Sequence, residues 1–286
     1  MTVAVVIRVN DGFVLASDSA ASVGASVAGG AVLALNVYNN GNKIFNLRKG
    51  LPLAAMTWGL GNIGQASIST LAKDLRARFA DPLDEWHLGP DYSMDQVTSR
   101  FKEFFWHTKF EPMVAAIPEP PTAEEGDRMA LGLLVAGYSA KAETPEIYQL
   151  QMSPNGCGEL VPVLAEDVGV SAWGQPEAIS RILNGMSSAM PRALANLGVP
   201  EEDVMPYTLA LQQQLQTQLV VPPMPIQDAI DLAEFLVQTT IGFVRFSPGS
   251  PTVGGPIEIA AITRHEGFVW VKRKHFFDRA LNLGMR

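Results

Sequence analysis

The sequence predicts an α+β fold in which antiparallel sheets carry helices on their outer faces. Predicted strands and helices come in blocks: strands, two helices, strands, two or three helices and closing strands. A doubly wound fold alternates strand and helix regularly, and this chain does not. With 47% hydrophobic and only 17% charged residues, the chain is not disordered. Its 286 residues can bury a large core without disulfide or metal cross-links.

The N-terminal block is built from predicted strands. They are expected at 2–9, 13–17, 43–47 and 51–58, where apolar and β-branched residues cluster. Asp11-Gly12 is typical of a hairpin turn, so the second strand should pair with the first. Residues 20–41, rich in glycine, asparagine and small side chains, predict irregular or weakly paired chain.

The rest of the chain continues the block pattern. Apolar periodicity predicts helices at 63–79, 94–110, 176–186 and 226–246, and strands at 129–138, 146–152, 159–163, 257–263 and 268–273. Four prolines within 112–127 predict a loop. Residues 187–225 predict an insertion with one Gln-rich helix and a proline-rich end.

Composition excludes several classes of function. The net charge of −8 gives the chain no electrostatic reason to bind nucleic acid. The basic run Lys272–His275 is interpreted as a solvated strand end. A single cysteine, Cys157, allows no intrachain disulfide and fits a reducing cytoplasm. No apolar stretch approaches the ~18 residues of a membrane span. No metal-binding motif is present, and we expect no cofactor.

The motif Gly59-Leu60-Gly61-Asn62-Ile63-Gly64 matches G-x-G-x-x-G between a predicted strand and a predicted helix. A dinucleotide fingerprint also needs a following strand with an acidic residue ~20 positions on. Here a second helix follows instead, which argues against dinucleotide binding. We interpret the motif as a tight turn whose bare amides face a cleft.

The N-terminus offers a different chemistry. Residue 2 is threonine, and a small residue after Met1 normally allows removal of that methionine. Thr2 would then carry a hydroxyl beside its own α-amine, whose pKa of about 7.7–8.0 suits a general base. Asp18 ends the strand paired with the first, Lys43 opens the next strand, and Gly59 ends the one after. These groups together are those of an N-terminal nucleophile (Ntn) hydrolase.

Over residues 2–80 the sequence resembles the proteasome β-subunit family, including its bacterial relatives. The residues that carry the resemblance are Thr2-Val3, the run from Asp11 to Ser19 (DGFVLASDS), Asn42-Lys43-Ile44, and Met56-Thr57-Trp58-Gly59 followed by a helix. The resemblance implies a four-layer αββα sandwich, two antiparallel sheets between helix layers. It also implies one domain over 1–286, with insertions near 80–127 and 187–225.

The resemblance assigns a role to each residue of the catalytic group. Thr2 Oγ would attack the scissile carbonyl, and the Thr2 amine would take the proton and pass it to the leaving amine. Lys43 would stand beside Thr2 as a cation, and Asp18 would hold Lys43 in place. The Gly59 amide would donate to the oxyanion, a role worth about 3 kcal/mol.

The resemblance also implies roles for residues outside the catalytic group. Ser22 and Gly61 match positions that pair with a substrate held as an extra β-strand. The segment from Asp18 to Lys43 is longer than in the family, so Lys49 is a rival for the lysine. Met56, or a residue two positions away, would line the pocket for the side chain before the scissile bond.

Three supporting groups depart from the family pattern. Trp173 stands where the family has a serine, and Ser171 is a substitute two residues away. Before Gly254-Gly255 the family has Asp and Ser, whereas this chain has Ser250-Pro251-Thr252-Val253. These departures weaken the expectation of strong peptidase activity.

The resemblance also implies partners. They are a peptide or unfolded-protein substrate, further copies of the chain in a homo-oligomeric ring, and an ATP-dependent unfoldase. No nucleic acid or membrane partner is expected. The competing function is a catalytically silent ring subunit with a structural role.

Overall fold

The computed structural model describes residues 2–26, 32–119, 121–165, 167–249 and 251–275. The strands are β1 (Val3–Val9), β2 (Gly12–Ser17), β3 (Ala21–Ser26), β4 (Val32–Tyr38), β5 (Ile44–Asn46), β6 (Leu53–Gly59), β7 (Asn62–Ile63), β8 (Ala66–Ser67), β9 (Leu131–Gly137), β10 (Glu146–Ser153), β11 (Gly156–Cys157), β12 (Val161–Pro162), β13 (Gly169–Gly174), β14 (Glu258–Thr263) and β15 (Gly267–Lys272). The α-helices are α1 (Ile68–Ala80), α2 (Met94–Lys102), α3 (Glu111–Ala115), α4 (Ala123–Arg128), α5 (Glu177–Leu183), α6 (Met190–Asn196), α7 (Glu201–Leu215) and α8 (Ile226–Phe246), and a π-helical segment spans Glu103–Phe110.

Two antiparallel sheets form the centre of the molecule. The first has the order β13-β1-β2-β14-β15, and the second has the order β11-β10-β9-β6-β5, with β12 also paired to β10. The β1–β2 hairpin turns where predicted, with Val9 opposite Gly12. The structure therefore confirms a mixed α+β architecture with antiparallel sheets.

Three apolar clusters hold these elements together. One joins the two sheets and includes Phe13 and Leu15 from the first and Met56 and Leu134 from the second. A second packs β1 and β2 against α8 through residues such as Leu236. The third packs the second sheet against α1, α2 and the π-helical segment. Because both faces of β1 are covered, every residue of that strand is buried, which explains its apolar run from Val3 to Ile7.

The first helix begins later than predicted. The chain after Gly59 first makes a small hairpin, in which β7 pairs with β8, and Gly64 adopts φ +58° at its tip. Helix α1 starts at Ile68, because the Ser67 side chain accepts the Thr70 amide hydrogen and caps the helix there. The glycine motif therefore does not open a helix.

The two stretches interpreted as insertions contain more helix than predicted. The predicted loop at 112–127 holds α3 and α4, and a capping box between Thr122 and Glu125 starts α4. Residues 187–225 hold two helices, α6 and α7, instead of one. In the described chain, no helix combines the length and apolarity that crossing a bilayer requires.

Two strand pairings were not predicted in detail. Within 20–41, where the sequence predicted irregular or weakly paired chain, β3 and β4 pair antiparallel. Strand β13 pairs with β1 along its whole length, with Val3 opposite Gly174. Its sequence, GVSAWG, is short and rich in small residues and carries no clear strand pattern, so its strand conformation depends on tertiary contacts, first of all the pairing with β1.

Candidate functional site

Asp18 and Lys43 form a buried ion pair at the end of β2. The Lys43 Nζ lies 2.6 Å from Asp18 Oδ1, and the two side chains are 7% and 0% exposed. The same Oδ1 accepts the Val3 amide hydrogen at 3.0 Å. One carboxylate oxygen therefore connects the lysine to the peptide group that follows Thr2.

The second oxygen of Asp18 is also satisfied by the fold. Its Oδ2 accepts the amide hydrogens of Ala20 and Gly254, each at 3.0 Å. A carboxylate without exposure needs such partners, because leaving it unpaired costs several kcal/mol. The Gly254 amide belongs to the glycine pair that precedes β14, so this loop supports Asp18. Ser250 lies outside the described residues.

The environment of Lys43 makes its proton easier to remove. Burial lowers the pKa of Lys43 below its usual 10.5. The attraction and hydrogen bond of Asp18 oppose this shift, and the nearby cation of Lys274 adds to it. Lys43 therefore loses its proton at a lower pH than an exposed lysine does.

Thr2 lies directly before β1 and is 4% exposed. The end of β13 approaches it closely: Gly174, at φ +85°, has no side chain, and a Cβ there would lie 2.0 Å from the Thr2 carbonyl oxygen. Only glycine can supply both this φ and this approach. The β13–β1 pairing therefore fixes the position of the Thr2 peptide group.

A cavity of about 400 Å³, here called the Thr2 cavity, brings most of the predicted site together. Its lining includes five of the six predicted residues, namely Thr2, Ser22, Lys43, Gly59 and Gly61. The sixth, Asp18, does not line the cavity and contacts it through Lys43. Within the described chain, no group of three or more His, Cys, Asp or Glu side chains is placed to hold a metal ion.

Gly59 ends β6 in a conformation that requires glycine. It has φ +84°, and a Cβ there would lie 2.3 Å from the Ala130 carbonyl oxygen. The Leu60 amide donates to the same oxygen at 3.1 Å. The motif therefore forms a turn beside the Thr2 cavity, as interpreted from the sequence. It lacks the helix N-terminus on which dinucleotide phosphates bind, because α1 starts only at Ile68.

Trp173 occupies the place where a serine was expected. Its ring stacks on Trp58 with 4.7 Å between centroids, and its indole nitrogen donates to Gln149 Oε1 at 2.7 Å. Gly132 makes room for Trp58, because a Cβ there would lie 2.0 Å from the indole ring. The tryptophan pair therefore fills the space between the sheets, and Trp58 also lines the Thr2 cavity.

Of the finer expectations, one is narrowed and one is wrong. Met56 is wholly buried between the sheets and does not line the Thr2 cavity, whereas Trp58, at one of the two positions that the sequence left open, does. Ser171 lies opposite Val6, four residues along β1 from Thr2. At ~3.3 Å per residue it is roughly 13 Å away, so it does not substitute for a serine at Thr2.

The rival lysine does not reach the site. Lys49 is an exposed residue between β5 and β6 and does not line the Thr2 cavity. Lys43 is the lysine that pairs with Asp18.

Sequence reasoning missed Lys274, which it placed in a solvated run. Its Nζ lies 2.9 Å from Glu258 Oε2, with the side chains 12% and 2% exposed. It also donates to Ser19 Oγ at 2.7 Å and to the Gly41 carbonyl at 2.8 Å. The available signal was Glu258 at the start of an apolar strand, because a buried carboxylate requires a cation.

The chain is similar in fold to solved structures of Anbu (ancestral beta-subunit) proteins. Anbu from Yersinia bercovieri is 13% identical, with a TM-score of 0.51 over 96% of this chain and 88% of that one. An Anbu Gly-1 mutant from Hyphomicrobium sp. strain MC1 is 15% identical, with a TM-score of 0.50 over 99% of this chain and 91% of that one. No protein-family model and no curated protein matches the chain.

These findings correct the resemblance to the proteasome β-subunit family. Anbu proteins are proteasome-like but form a distinct family. The N-terminal motifs misled because they encode the β1–β2 hairpin and the residues beside it, and such local features can be common to distinct families of one fold. At 13–15% identity the likeness shows the fold alone.

Proposed function

We propose that this chain is a proteasome-like subunit of the Ntn type, in which Thr2 hydrolyses peptide bonds after removal of Met1. The observation that carries the proposal is the Asp18 carboxylate, which accepts hydrogen bonds from both the Lys43 ammonium and the amide that follows Thr2. A buried lysine, a hydroxyl and a glycine turn around one cavity form a constellation suited to acyl transfer.

The four-layer αββα sandwich belongs to the same proposal. Its support is the arrangement of the three apolar clusters: one between the sheets, one under α8 and one under α1 and α2. In such a fold the N-terminal residue lies at the end of a central strand, where a hydroxyl and a free amine can face a cavity.

The proposed reaction begins at the Thr2 hydroxyl. Its oxygen attacks the scissile carbonyl while the Thr2 amine takes the hydroxyl proton, and the amine then protonates the leaving amine as the C–N bond breaks. Water then attacks the resulting ester while the Thr2 amine accepts its proton. The bond between the acyl carbon and Thr2 Oγ breaks, the amine returns the proton to Oγ, and the acid product leaves. The Lys43 cation favours the neutral form of the amine, which the reaction requires.

Three further residues that line the Thr2 cavity complete the proposed site. The Gly59 amide donates to the oxyanion, which forms only during the reaction and is best stabilised by a fixed donor. Ser22 and Gly61 hold the substrate backbone as an added strand. Both residues line the Thr2 cavity, which supports this assignment.

A second candidate is a ring subunit without catalysis. The observation that favours it is the Trp173 indole, stacked on Trp58 where a supporting serine was expected. Both candidates share the predicted homo-oligomeric ring and cytoplasmic location. Large apolar side chains exposed on α7 and α8, such as Tyr207 and Phe235, support association with further copies. The peptide substrate and an unfoldase partner remain predictions.

The test is covalent labelling of Thr2. Intact-mass measurement first establishes removal of Met1, and the protein is then treated with a threonine-directed electrophile. We expect one adduct on the N-terminal peptide of the wild type, none on Thr2→Ala, and an adduct on Thr2→Ser. Retained Met1, or equal labelling of Thr2→Ala, would overturn the hydrolase and leave the silent subunit.

A further inference from the structure

A second cavity, of about 390 Å³, adjoins the Thr2 cavity and carries a concentration of cations. It is called the basic cavity here, and its charged lining includes Lys73, Arg76, Arg273, Lys274 and Glu258. Asn40, Asn42, Ser69 and Lys73 line both cavities, so the two share a wall. Such a concentration is unexpected in a chain with a net charge of −8.

Among the described residues, one carboxylate lines the basic cavity, and it does not neutralise this charge. Glu258 forms an ion pair with Lys274, the two atoms lying 2.9 Å apart, and Lys274 donates hydrogen bonds to Ser19 and Gly41. The charges of Lys274 and Glu258 therefore cancel each other. Within the described chain, Lys73, Arg76 and Arg273 make no hydrogen bond or ion pair, so three positive charges remain uncompensated.

Two of these cations come from different elements and face a common space. Arg76 is half-buried on α1, and Arg273 follows β15, where its guanidinium lies 4.8 Å from the centre of the Trp270 ring. Burial, and then the charge of Arg273, lower the pKa of Arg76. The two guanidiniums therefore repel each other, and an anion between them would relieve this repulsion.

We propose that the basic cavity binds a carboxylate of the substrate between Arg76 and Arg273, so that the site selects peptides with an acidic side chain. This inference rests on the proposed peptide hydrolysis at Thr2. The planar guanidinium matches the two oxygens of a carboxylate. Because the cavities share a wall, a peptide whose reacting carbonyl lies at Thr2 can place an acidic side chain in the basic cavity. A free phosphate ion would satisfy the same cations.

The experiment measures binding separately from hydrolysis by using the Thr2→Ala variant. Dye-labelled, capped alanine hexapeptides carry one Glu at each of the six positions in turn, and each has a Gln twin. Fluorescence polarisation should show at least one Glu peptide binding about 10-fold more tightly than its twin, which corresponds to about 1.4 kcal/mol. This preference should disappear in the triple variant Thr2→Ala/Arg76→Gln/Arg273→Gln.

A matched control removes an arginine that lines neither cavity. Arg192 is exposed on α6, so Thr2→Ala/Arg192→Gln should keep the Glu preference. Melting temperatures check that all variants fold, and removal of the repelling pair should not lower them. Loss of the preference in the Arg192→Gln variant would show a general charge effect and would overturn the proposal.

Inorganic phosphate separates the two sources of anion. Phosphate that abolishes the Glu preference by competition would support the substrate subsite. Phosphate binding without any Glu preference would show a site for free anions only, which overturns it, as would the absence of both. A Glu preference on a chain whose Thr2 is not labelled would support the subsite and reject only the hydrolase.

Discussion

The ammonium of Lys43 lies 2.6 Å from Asp18 Oδ1, in a place where neither side chain is appreciably exposed to solvent. Three backbone amides, from Val3, Ala20 and Gly254, complete the environment of this carboxylate. The ion pair therefore connects β1, β2, β5 and the loop before β14.

Replacing the paired lysine should affect both activity and stability. In Lys43→Met, Asp18 keeps its buried charge without a cation, so we expect a loss of about 3 kcal/mol in the free energy of unfolding. Thr2 labelling should slow at least ~100-fold, because the neighbouring cation is lost. Urea unfolding and labelling rates measure the two effects. The exposed Lys49 is the matched control: Lys49→Met should change stability by less than ~0.5 kcal/mol, and equal losses would reject Lys43.

The pH dependence of stability should also report Lys43. Its folded-state pKa lies below 10.5, because burial lowers it, while the unfolded chain has the ordinary value. Between the two values the unfolded state binds more protons, so the contribution of Lys43 to stability rises with pH, by at most ~1.4 kcal/mol per unit. The unfolding free energy of wild type minus Lys43→Met should increase from neutral pH towards 10.5. A flat or falling difference would contradict this.

The turn at Gly59 should not tolerate a side chain. Gly59→Ala combines φ +84° with a Cβ 2.3 Å from the Ala130 carbonyl oxygen, so the turn must shift. We expect a destabilisation of about 1–3 kcal/mol and the loss of most Thr2 labelling. Gly61→Ala is the control for stability, because nothing lies within 4 Å of its Cβ. Similar melting temperatures for the two variants would show that the turn is not constrained.

Two alanine variants separate the effect of the close contact between Gly174 and Thr2 from the effect of backbone strain. Gly174 and Gly198 have φ values of +85° and +86°, but only at Gly174 would a Cβ meet another group, the Thr2 carbonyl at 2.0 Å. Gly198→Ala should therefore cost only about 1 kcal/mol. Gly174→Ala should cost more and should also slow Thr2 labelling. Unchanged labelling in Gly174→Ala would mean that β13 does not position Thr2.

The pair of Lys274 and Glu258 should behave as a buried ion pair. Lys274→Met leaves the carboxylate of Glu258, 2% exposed, without its cation, and about 3 kcal/mol of stability should be lost. Glu258→Gln/Lys274→Met should recover part of this loss. Lys272 provides the control, because its bridge to Glu234 is largely exposed, and Lys272→Met should cost less than ~1 kcal/mol. Chemical unfolding measures all three, and equal losses in the two lysine variants would contradict burial of Lys274.

Much of the site could be predicted because its residues lie in local sequence patterns. The Asp11-Gly12 turn makes β1 and β2 a hairpin, and its register places Asp18 beside Val3, whose carbonyl accepts the Asp18 amide hydrogen at 3.3 Å. Helix α8 spans the predicted range because its apolar spacing is long and regular. The family assignment failed, since local patterns identify a fold and a site geometry but not which of several related families a chain belongs to.

The sequence by itself determined the α+β class and the order of most elements, and it named Thr2, Asp18, Lys43 and Gly59 as candidate site residues. Tertiary structure alone decided which further groups surround them. Contacts between residues far apart in the chain decide four features: the pairing of β13, the position of Ser171 within it, the burial of Lys274, and the basic cavity. Periodicity and turn motifs describe only neighbouring residues, whereas a buried charge acquires its partner when the sheets pack.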